Sequence, residues 1–190
     1  MVVACLGLAP SALAHDHRLP PAAVLMVGEL RQRGTLSEER WVTSDSTDDE
    51  VLCRTDFGSF LNHFSKTSLT VPADTVDAAI RVRKSAAPRS VVVQAWEKVD
   101  RRRRPTGQAT PIPSVLTPHI VGDKPAAWNV AFALPRSRHV YLQIDLSWTD
   151  EEGCGGGLDT GSQHAGWRFH VKRARADDLP LRLRRGTLCT

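Results

Sequence analysis

From His139 to Trp148 apolar and polar residues alternate without a break. Val140, Leu142, Ile144, Leu146 and Trp148 fall on one side, and Tyr141, Gln143, Asp145 and Ser147 on the other. A period of two marks a half-buried strand, because successive side chains leave opposite faces of an extended backbone. Trp128, Val130, Phe132 and Leu134 repeat the pattern, as do Trp167, Phe169 and Val171. Residues 91–99 set Val92, Gln94, Trp96 and Lys98 against Val91, Val93, Ala95 and Glu97. Shorter strands are predicted at 68–71 and 79–83, and 24–27 with 35–43 supply an opening pair. Gly34, the acidic stretch 44–50, Pro72, Pro88, Pro105, Gly107, Pro111, Pro113, Pro118, Pro125, Pro135 and the Gly-rich stretch 153–166 fall between them as breakers. Only 57–65 reads as a short helix. About eight short strands with Pro/Gly turns predict an all-β fold, an antiparallel immunoglobulin-like β-sandwich.

The chain has 190 residues, 41% of them apolar and 24% charged, which suits one globular domain with tails and excludes disorder throughout. No apolar run of about 18 residues follows residue 14, so no transmembrane segment is expected in the mature chain. The formal charge of +4 resides wholly in residues 172–190, where six cations face Asp177 and Asp178. The body is therefore neutral. Arg101–Arg104, between Asp100 and Pro105, reads as a solvated loop tip, and no nucleic-acid partner is expected.

Residues 2–14 form an apolar run ending in Ala12-Leu13-Ala14, followed at once by polar His15-Asp16-His17. This reads as a signal peptide cleaved after Ala14, with a start that lacks the usual basic residues. The organisation expected is thus a signal peptide at 1–14, a β-sandwich domain at 15–172 and a basic, loosely ordered tail at 173–190. Val2-Val3-Ala4-Cys5 also fits a lipoprotein box. The nine residues after Cys5 stay apolar, however, and favour cleavage after Ala14 over lipid anchoring. Export to an oxidising compartment makes Cys53, Cys154 and Cys189 disulfide candidates, and spacing does not choose among their three single pairings.

Pro20-Pro21 leading to Gly28, then Gln32-x-Gly34, Trp41 and Cys53-x-x-Asp56, followed by Val71-Pro72-Ala73 and a closing Trp167-x-Phe169-x-Val171, form an ordered set of short motifs. Over about residues 20–172 this layout resembles a set of uncharacterised actinobacterial secreted proteins and lipoproteins of β-sandwich type. The resemblance implies no activity. It also implies a hairpin cysteine partner for Cys53, at a place where this chain carries Arg40.

Candidate chemistry is sparse. Asp159-Thr160-Gly161-Ser162 matches the aspartic-protease signature, but occurs once, after Gly155-Gly156-Gly157 instead of an apolar strand, and reads as a turn. The acidic clusters 45–50 and 150–152 lack a recognised calcium-loop spacing. C-x-x-C, H-E-x-x-H, Walker and dinucleotide motifs and a G-x-S-x-G elbow are missing. Cleavage after Ala14 would expose His15 with His17 two residues on, a set of nitrogens that suits copper; His63, His119, His139, His164 and His170 are available for a further ligand, but no spacing links any of them to His15. The function expected is a secreted, non-catalytic binding or structural module of the cell envelope, with an unidentified ligand. A copper-binding protein using His15 and His17 and a hydrolase with an unrecognised site are the alternatives.

Overall fold

The computed structural model describes residues 20–47, 50–59, 63–149 and 163–175, the stretches 38–47 and 50–59 by backbone alone. Twelve strands follow in chain order: β1 (Ala23–Val27), β2 (Leu30–Arg33), β3 (Thr35–Thr47), β4 (Glu50–Ser59), β5 (Leu69–Val71), β6 (Asp77–Val82), β7 (Ser90–Trp96), β8 (Thr110–Pro111), β9 (Ser114–Val121), β10 (Lys124–Ala133), β11 (His139–Trp148) and β12 (Gln163–Arg173). A five-stranded sheet has the order β2-β1-β6-β10-β9, and a seven-stranded sheet the order β4-β3-β12-β11-β7-β8. Both are antiparallel, except that β5 joins β12 in parallel.

The alternation in sequence becomes the inner face of each sheet. Leu25, Ile80, Val130 and Phe132 of the smaller sheet share one hydrophobic cluster with Val93, Leu142, Ile144, Leu146, Trp148, Trp167 and Phe169 of the larger. Each such side chain contributes roughly 1.5–3 kcal/mol when fully buried. With no helix among the described residues, this shared layer is the main stabilising element of a sandwich-like all-β fold. No helix there is long and apolar enough to cross a membrane.

Several breakers act differently from expectation. Residues 57–59 belong to β4 rather than to a helix, because they pair with 38–40 of β3 and the ladder outweighs local preference. The acidic stretch is strand up to Thr47 and again from Glu50. Pro118 lies within β9, a strand at the edge of its sheet, where a missing N–H donor is tolerated. The Gly-rich stretch yields to β12 at Gln163. Two further strands close on two-residue loops, β1 to β2 at Gly28-Glu29 and β9 to β10 at Gly122-Asp123. Gly28 and Gly122 have φ of 56° and 63°, and Glu29 and Asp123 do not share the left-handed conformation. That is the type II′ pattern, which asks for glycine at the first central position.

Candidate functional site

The outer face of the larger sheet carries the main polar constellation among the described residues. Along β11 the outward residues are His139, Tyr141, Gln143, Asp145 and Ser147. Opposite them on β12 stand Lys172, His170, Arg168, Gly166 and His164. At one end this face is covered rather than wet. Phe64 is fully buried there, with its ring 5.2 Å from Tyr141, 5.9 Å from Trp96 and 5.2 Å from the Arg168 guanidinium carbon. Tyr141 is buried for the same reason and stacks on His170 at 4.5 Å, with the rings 13° from parallel.

A turn from the β7–β8 connection locks this cover in place. Asp100 accepts from the Arg104 backbone N–H at 2.9 Å and from its Nε at 3.1 Å, and the Arg103 N–H donates to the Asp100 carbonyl at 2.8 Å. Chiefly that Arg104 N–H holds the Asp100 carboxyl below its ordinary range. Arg103 sits at φ 62°, a left-handed conformation that costs a non-glycine residue of order 1 kcal/mol. The turn thereby sends Arg103 inward. Its Nε donates to the Phe64 carbonyl at 3.0 Å and its Nη2 to the Ser65 carbonyl at 2.5 Å, while the Phe64 N–H donates back to the Arg103 carbonyl at 2.9 Å. Arg101 and Arg102 remain exposed.

The same guanidinium fixes a histidine relay. Arg103 Nη2 lies 3.0 Å from His170 Nδ1, and His170 Nε2 lies 3.1 Å from His139 Nδ1. Guanidinium has donors only, so His170 Nδ1 accepts, its Nε2–H donates, and His139 Nδ1 accepts in turn. Burial first, then the Arg103 charge, pushes the His170 pKa down to about 4 and keeps the ring neutral. Burial, Arg138, Lys172 and Arg103 lower His139 as well.

Over this platform opens a cleft of about 420 Å³, lined by Thr35, residues 63–66 and residues 101–103. Its cations, Lys66, Arg101, Arg102 and Arg103, come from two separate segments, and no carboxylate is among the described lining residues. The loop tip expected at Arg101–Arg104 is a turn, but Arg103 is half-buried and structural rather than solvated.

The residues predicted from sequence distribute unevenly. His15, His17, Cys5, Cys154, Cys189 and the Asp159–Ser162 turn lie outside the described residues. Cys53 is in β4 opposite Ser44, with its side chain outside the description. Of the fold's histidines, His139 and His170 meet, His63 lines the cleft, and His119 and His164 lie on β9 and β12. Among the described residues no group of three or more His, Cys, Asp and Glu gathers to hold a metal ion. Sequence reasoning did not foresee the Phe64–Arg103–His170 assembly, whose members are far apart along the chain. Comparison with protein-family models, with curated proteins and with solved structures gives no match for this chain.

Proposed function

We propose that this chain is a secreted, non-catalytic binding or structural module of the cell envelope, built on an immunoglobulin-like sandwich. The observation that carries this reading is the engagement of both ring nitrogens of His170, the one buried imidazole among the described residues. A general base or a metal ligand needs a free lone pair. The lone pair of His170 faces Arg103. The ring therefore serves as a strut for a rigid platform, and rigidity under an open cleft is what recognition requires. Export rests on the apolar run at 2–14 with Ala12-Leu13-Ala14, and an oxidising destination leaves Cys53, Cys154 and Cys189 as disulfide candidates. The immunoglobulin-like assignment draws support from non-sequential neighbours in both sheets, β1 with β6 and β3 with β12.

Fractionation of producing cells, with mass spectrometry of the exported product and sedimentation with isolated envelopes, tests the reading. The expected product begins at His15 and sediments with envelopes. Full-length protein confined to the cytoplasm contradicts the reading.

A further inference from the structure

We propose that the cleft between the Phe64 segment and the Arg101–Arg103 turn binds a phosphate ester carried on a hydroxylated group such as a sugar or glycerol. This assignment rests on the binding-module reading and gives it a ligand class. Four cations and no described carboxylate line the cleft, so its field favours an anion. Arg103 directs its Nε and Nη2 to the Phe64 and Ser65 carbonyls and to His170 and is half-buried, so Lys66, Arg101 and Arg102 are the exposed cations of the lining.

The scaffold fixes the backbone that carries two of these. The left-handed residue at 103 and the Asp100–Arg104 clamp fix the turn that carries Arg101 and Arg102, and Arg103 ties that turn to the segment bearing Lys66. Backbone strain held in place by several bonds, directly beside a cleft, is characteristic of sites that position a ligand. Guanidinium forks match phosphate oxygens and an ammonium adds a point charge, so this set suits a phosphate ester better than a lone carboxylate. The hydroxyls of Thr35 and Ser65 in the lining supply partners for ligand hydroxyls. A volume of about 420 Å³ accommodates one phosphorylated sugar.

Calorimetric titration of the exported protein with glucose 6-phosphate, with glucose, and with vesicles of phosphatidylglycerol tests the site and separates a soluble ester from a lipid headgroup. The expected result is binding of glucose 6-phosphate or of the vesicles, none of glucose, and weakening by about tenfold or more in the Lys66→Glu/Arg102→Glu variant. Both residues are exposed, and unchanged thermal unfolding verifies the fold. Lys124→Glu, a charge reversal of the same kind at the tip of the β9–β10 hairpin and half the total change of the double variant, should leave affinity unaltered. Two results overturn the proposal: no binding of either phosphate probe, whether or not a single-stranded oligonucleotide binds, or equal binding by the double variant. An exported protein that sediments with envelopes but ignores both probes discards the ligand class and leaves the module reading standing. Failure of sedimentation discards the module reading instead.

Discussion

Gly34 lies directly beneath the ring of Phe169: a Cβ at position 34 would stand 2.8 Å from Phe169 Cζ and 3.0 Å from Cε1. Here the chain leaves β2 in one sheet and enters β3 in the other, with the Gly34 N–H donating to the Ala23 carbonyl at 2.8 Å. Phe169 is fully enclosed in the shared core and has nowhere to retreat. Gly34→Ala is therefore expected to destabilise the protein by about 2 kcal/mol through overpacking, lowering Tm by about 4–8 °C. Differential scanning calorimetry checks this, and an unchanged Tm would mean that the two sheets do not meet as described.

Arg103 should behave as a structural pin. Arg103→Ala leaves the Phe64 and Ser65 carbonyls and His170 Nδ1 without their donor, an expected loss of about 2–3 kcal/mol. Arg103→Lys should recover less than half of it, since an ammonium cannot reproduce the planar fork. Urea midpoints measure both, and Trp96, in contact with Phe64, offers a local fluorescence probe.

Acid should loosen the same platform. Above pH 6.5 His170 is neutral in both folded and unfolded chains. Below it the unfolded chain takes up a proton that the folded one refuses until about pH 4. Stability therefore falls as pH drops through this window, by up to about 3 kcal/mol from this residue. His170→Asn keeps an acceptor for Arg103 and removes the titration, so its urea midpoint should vary less between pH 7 and pH 4.5. An equally steep decline in the variant would assign the acid sensitivity to other groups.

Arg173 closes the opposite side of β12. Its guanidinium donates to the carbonyls of Ala73 at 2.9 Å, Thr75 at 2.7 Å, Leu134 at 3.1 Å and Pro135 at 2.8 Å, joining two of the sheet-to-sheet connections, β5–β6 and β10–β11. Burial lowers its pKa from the ordinary arginine value. Arg173→Met matches the stem but strands those four carbonyls, with an expected loss of about 3 kcal/mol in chemical denaturation.

The core was legible because β10, β11 and β12 carry their large apolar residues at alternate positions, whereas the alternation in β7 separated two faces without saying that Val93 and Ala95 are the buried one. Strand β9 was obscured by Pro113 and Pro118, which read as breakers although an edge strand accepts proline; the pair Gly122-Asp123 between Val121 and Lys124 was the signal that could have revealed its hairpin. The candidate site was not legible. Nothing local in Phe64, Arg103 or His170 announces that three distant segments converge, and Tyr141, polar by its place in the alternation, is buried only because Phe64 covers it.

Retention on isolated cell envelopes, compared between the exported protein and its Lys66→Glu/Arg102→Glu variant, tests the central claim that this cleft is the working face. The account predicts retention of the parent and loss of most of it, by about tenfold, in the variant. Equal retention of the two proteins would contradict it.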